Sequence, residues 1–110
     1  FDMPASNRLR YTGTPNVHVH GVVTVSLTTA SSSQVIGLRA AINGDASGTN
    51  SVASQVEHKT GTGSDVISTA IHFDTMLSTN DYVELWVANE TTASNVTIEF
   101  MYFFILGMLV

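Results

Sequence analysis

The sequence predicts an all-β protein, an antiparallel β-sandwich or jelly roll, and three observations carry that reading. Apolar and polar residues alternate with a period of two over seven short segments. Clusters of Gly, Ser, Asn and Pro separate those segments at near-regular spacing. No stretch of ten or more residues carries an apolar stripe at helical spacing.

Residues 1–7 contain Pro4 and the turn-formers Ser6 and Asn7, and are expected to form an extended arm or the tail of a strand continuing from an upstream segment. A single domain is expected over residues 8–110, since 110 residues suffice for one core and not for two. Residues 8–11 alternate as a short strand, which Thr12-Gly13-Thr14-Pro15 stops because Pro15 lacks a ladder donor. Residues 16–29 give the clearest period of two, with Val17, Val19, Gly21, Val23, Val25 and Leu27 opposite His18, His20, Val22, Thr24 and Ser26. A third strand is expected over 34–43 with Ile36, Leu38 and Ile42 inward, ending at an Asn43-Gly44 pair that favours a positive-φ turn.

Residues 51–59 are polar and weakly patterned, which reads as an edge strand, and 59–65 with Gly61 and Gly63 as a turn. Residues 66–73 set Ile67, Thr69, Ile71 and Phe73 against Val66, Ser68, Ala70 and His72, and 74–81 reads as a connection. Residues 82–88 place Val83, Leu85 and Val87 on the core face. Residues 89–94 then read as the turn of a hairpin onto a last strand over 95–106, which would make the two most apolar strands paired neighbours.

That last strand organises the expectation of assembly, because the run from Phe100 to the C-terminus is apolar on both alternating faces. Phe100, Tyr102, Phe104 and Leu106 oppose Met101, Phe103 and Ile105, and a single small sandwich has one interior to offer them. The other face calls for another chain. The run covers about 11 residues where a membrane helix needs roughly 20, so a membrane span is not expected.

Composition removes several function classes. A net charge of −5 with only Arg8, Arg10, Arg39 and Lys59 as basic residues leaves little to neutralise a phosphate backbone or an anionic bilayer. No cysteine is present, which excludes disulfides, a thiol nucleophile and cysteine-bound zinc. Twelve Ser and fourteen Thr against 12% charged residues fit an extracellular or virion β protein better than a cytoplasmic enzyme.

The stretch Asn80-Asp81-Tyr82-Val83-Glu84-Leu85-Trp86-Val87, followed by Asn95-Val96-Thr97-Ile98-Glu99-Phe100 and an aromatic C-terminal strand, resembles the last strands of the trimeric jelly rolls typified by the complement globular heads and tumour necrosis factors. Tyr11-Thr12-Gly13 leading into residues 17–27 is similar to that fold's opening strands, and the likeness is greatest to the version carried by bacteriophage and marine-virus structural proteins. The first strand of the family has no evident counterpart here, leaving it upstream, contributed by a neighbour or absent. The resemblance implies a non-enzymatic virion structural protein of capsid-decoration, fibre or knob type. It further implies a homotrimer on the virion surface that touches other virion proteins and a host-surface receptor or glycan. The expected threefold interface comprises Phe100, Tyr102, Phe104 and Leu106, with Phe103 if the faces are exchanged, together with Tyr82 and Trp86.

The chemistry-bearing residues also have plainer roles open to them. His18 and His20 stand at i and i+2 on one face, with His72 on another strand, a spacing that could share a metal. With no carboxylate placed beside them by the sequence, they read as hydrogen-bonded sheet histidines, and no metal or cofactor is expected. No Gly-x-Ser-x-Gly elbow accompanies the many serines, and Glu84 and Glu99, expected on adjacent strands, read as polar cover. An enzyme is not expected. Asp45, Asp65, Asp74 and Asp81 are expected in loops, without the spacing of a calcium loop. Asn89-Glu90-Thr91 and Asn95-Val96-Thr97 fit the glycosylation sequon, which matters only in a secretory pathway. Trp86 and Tyr82 beside Glu84 suggest the alternative function, a carbohydrate- or other ligand-binding module with Trp86 and Glu84 as contacts.

Overall fold

The computed structural model describes residues 1–63 and 65–109. Ser64, in the turn expected at 59–65, and Val110, the last residue of the apolar run, lie outside the described residues. The elements follow in the order β1 (Asp2–Ala5), β2 (Arg8–Arg10), β3 (Val17–Thr29), β4 (Val35–Ile42), α1 (Thr49–Ala53), β5 (Val56–Lys59), β6 (Ile67–Leu77), β7 (Tyr82–Asn89) and β8 (Val96–Leu109). They form two antiparallel sheets, one of five strands in the order β1-β2-β7-β4-β5 and one of three long strands in the order β6-β3-β8. The protein is an all-β sandwich.

The core lies between the sheets and is built by the period-two faces. Val19, Val23 and Leu27 of β3 meet Ile36 and Leu38 of β4, Ile71, Phe73 and Leu77 of β6, and Val83 and Leu85 of β7. Each inward residue is followed by an outward one, so burial alternates strictly along β3. The Asn43-Gly44 turn forms with φ of 53° and 74°, the left-handed pair that a two-residue connection needs. α1 and β5 lie against β6.

Four expectations change. β7 and β8 do not pair as a hairpin: β7 is held on its two edges by β2 and β4, while β8 pairs with β3 in the other sheet. The two apolar strands thus lie in different sheets rather than side by side. The expected edge strand at 51–59 is shortened to β5, and its first residues wind into α1. The cause is polar satisfaction along β4, whose Ala40 and Ile42 amides extend beyond the reach of β5. The Ala40 amide donates to Ser54 Oγ at 2.9 Å and the Ile42 amide to Ser51 Oγ at 3.1 Å, so a helical turn with two buried serines finishes the sheet edge. β6 continues past Phe73 to Leu77, because Thr75 and Leu77 keep the inward alternation and pair beside Val19 and Val17. Residues 2–5 form a strand on β2, fastened by Arg10 to Asp2 at 2.9 and 2.5 Å, which holds the Asp2 carboxyl below its ordinary pKa.

Gly21 is required by packing. It lies opposite Phe73 on the core face, and a Cβ there would fall 2.0 Å from the ring, which in turn meets Phe103 edge-on with centroids 5.9 Å apart. Gly21→Ala is therefore expected to destabilise the fold by about 1–3 kcal/mol. Much of that loss should be recovered in Gly21→Ala/Phe73→Leu, as chemical denaturation of the two variants will read.

Candidate functional site

The outer face of the three-stranded sheet is the most unusual surface of the molecule. In register across it, His18, His20, Val22, Thr24 and Ser26 of β3 lie between Met76, Asp74, His72, Ala70 and Ser68 of β6 and Met108, Leu106, Phe104, Tyr102 and Phe100 of β8. The β6 side is mostly polar and the β8 side is wholly apolar. Phe100 is 76% exposed, Tyr102 66%, Leu106 59% and Phe104 45%. At about 200 Å² per ring, the three aromatics alone leave on the order of 400 Å² open, a size reached only by the largest patches of typical monomers. Leu106 and Met108 extend it further.

β8 faces both ways, as its sequence requires. Met101, Phe103 and Ile105 turn inward and pack on the core. It is also an edge strand, paired to β3 on one side only. Natural edges are usually blunted by Lys, Pro or inward charge. β8 has none of these, its one charged residue being Glu99 at a bulge opposite Ser26 and Leu27. An apolar face and an open ladder edge therefore coincide on one strand.

Among the residues expected at an interface, the structure brings Phe100, Tyr102, Phe104 and Leu106 together and turns Phe103 into the core. Tyr82 and Trp86 are elsewhere, on the outer face of the five-stranded sheet. There Arg8 donates from Nε and Nη2 to Glu84 Oε2 at 3.1 and 2.9 Å and lies 4.1 Å over the Tyr82 ring. Glu84 is buried by this pairing and does not stand free beside Trp86. The carboxylate near Trp86 is instead Glu90, whose pKa is raised first by a hydrogen bond with Glu57. Glu84 and Glu99 fall in different sheets, the latter accepting from Thr28 Oγ1 at 3.2 Å, so they do not act on one another.

The histidines gain a carboxylate partner that the sequence did not place. Asp74 lies in β6, not in a loop, opposite His20. It bonds His18 Nε2 through one oxygen and stands 3.8 Å from His20 Nδ1 through the other, while the His20 and His72 rings are 5.6 Å apart. Among the described residues, no group of three His, Cys, Asp or Glu is arranged to hold a metal ion. The loop carboxylates are used by their own turns. Asp45 accepts from Ser47 and Gly48, which lowers its pKa, Asp65 accepts from the Thr62 amide, and Asp81 from Ser78 and Asn43. Among the described residues, no helix is long and apolar enough to cross a membrane.

Arg8→Ala would strand the Glu84 carboxylate under its sheet, at an expected cost of about 1–3 kcal/mol in urea denaturation. Arg8→Ala/Glu84→Gln should be more stable than the single variant, because the uncompensated charge is gone.

No family model, curated protein or solved structure matches the chain. A functional reading therefore rests on this geometry and on the resemblance carried by the last strands.

Proposed function

We propose that the chain is a non-enzymatic structural subunit of jelly-roll form that works as a homotrimer on the surface of a virus particle. It would serve there as a decoration, fibre or knob protein that adjoins other virion proteins and touches a host-surface receptor or glycan. The observation that carries the assembly is the exposed apolar row Phe100, Tyr102, Phe104 and Leu106 on an unprotected edge strand. At 45–76% exposure, burying these four side chains would return on the order of 4–7 kcal/mol per protomer, well beyond what a surface ion pair gives.

The strand pairing supports the jelly roll. β2 with β7, β3 with β6 and β4 with β5 are nested antiparallel pairs, as in a long hairpin folded over a sandwich. The fourth nested pair would add a strand to the outer edge of β8, which is the open one. Threefold symmetry and the virion location come from the resemblance, which also favours loops rich in Ser, Thr, Asn and Gly as the outward contact surface.

Two variants separate folding from assembly. Phe104→Asp changes an outward residue and is expected to yield a folded monomer by light scattering and circular dichroism. Phe103→Asp buries a charge in the core and is expected to prevent folding. Retention of the wild-type mass by Phe104→Asp would contradict the interface. Imaging of particles should find the chain as a regularly placed protrusion, whereas its occurrence only as a secreted monomer would contradict the virion reading.

A further inference from the structure

The second outer face, on the five-stranded sheet, contains a hollow whose origin is visible in the register. Gly37 of β4 lies between Ala88 of β7 and Glu57 of β5, so two of the smallest residues meet at mid-sheet where bulky β-formers are usual. One step along the strands stand Arg39 and Trp86, themselves cross-strand partners, and Glu90 closes the end beyond β7. The result is a depression of about 180 Å³ with Gly37 and Ala88 as floor and Trp86, Arg39, Gln55 and Glu90 around it. Gly37 keeps it open, since a Cβ there would lie 2.9 Å from Glu90 Oε1.

We propose that this hollow is a binding subsite for one neutral pyranose ring of a glycan, stacked on Trp86 and hydrogen-bonded by Glu90 and Arg39. The volume is below the roughly 300–1,000 Å³ of common ligand pockets, which suits a single ring and not an extended ligand. Trp86 is 44% exposed, so an apolar plate is available to the C–H face of a sugar. Around it the groups are of both kinds: carboxylates accept from vicinal hydroxyls, and the guanidinium donates to them. Such a set discriminates by charge. An anion would meet the Glu90 carboxylate, and a simple cation would meet Arg39 at the position beside the indole. A neutral polyol satisfies both groups. Arg39 is already steadied by Gln55 and the Ala46 carbonyl, so it is held in place before a ligand arrives. The pKa of Glu90 is raised, first by its hydrogen bond with Glu57.

Trp86 is the one tryptophan in the chain, so fluorescence excited beyond the tyrosine absorption band reads this hollow alone. The wild type is titrated with glucose, galactose, mannose and N-acetylglucosamine to ~50 mM, a range suited to single-ring affinities, and applied to a glycan array. A saturable shift of Trp86 emission with at least one sugar is expected, weakened several-fold in Glu90→Gln and lost in Gly37→Val, whose side chain fills the floor. Absence of a saturable shift with all four sugars together with an array free of hits would overturn the proposal. So would a shift that persists unchanged in Gly37→Val. Molecular mass is measured on the same samples. The hollow and the β8 row are on opposite sheets, so sugar binding without trimers, or trimers without sugar binding, assigns the failure to one reading and leaves the other standing.

Discussion

The structure depends on a constraint on one strand: β8 has apolar side chains on both faces and the sandwich has room for one of them. Met101, Phe103 and Ile105 close the core over β3 and β6, and the alternation of a strand then forces Phe100, Tyr102, Phe104 and Leu106 to the opposite side. No local adjustment relieves this, since slipping the register by one residue would only exchange the two sets. The surplus can be removed only by something that covers the outer face of the sheet. In the proposed trimer that cover is two further copies.

The two outer faces show how differently the same fold treats its surfaces. On the five-stranded sheet, polar groups are paired with care. Arg8 and Tyr82 enclose Glu84, and among the described residues no buried side-chain nitrogen or oxygen lacks a partner. Where β5 is too short to pair all of β4, Ser51 and Ser54 supply the missing acceptors from a single helical turn. On the three-stranded sheet, β6 and β3 carry His18, His20, His72 and Asp74, while β8 presents a continuous apolar row. Because that row lies on an edge strand, we read it as a surface made for contact.

Much of the core was legible in the sequence because a period of two needs no long-range knowledge. Val17 to Leu27, Ile67 to Phe73 and Val83 to Val87 point as their alternation demands, and Asn43-Gly44 turns as its backbone preferences demand. What was not legible depends on partners distant in the chain. Whether β8 lies beside β7 or in the other sheet is decided by β2 and β4, which occupy both edges of β7. The helical turn at Thr49–Ala53 answers a need of β4 amides that its own residues do not announce. For the candidate sites, the apolar row on β8 could be read directly, whereas the pairing of Glu84 with Arg8 could not, the two being 76 positions apart. Asp74 beside the histidines was hidden by reading β6 as ending at Phe73. The small residues at 37 and 88 were the available sign of the hollow, visible only once the strands were in register.

The central claim is that the outer face of β8 is covered by other copies of the chain, and the mass of the wild type tests it most directly. Sedimentation equilibrium over micromolar concentrations is predicted to give three times the 11.8 kDa chain mass with no detectable monomer. A stable species at 11.8 kDa across that range would contradict it.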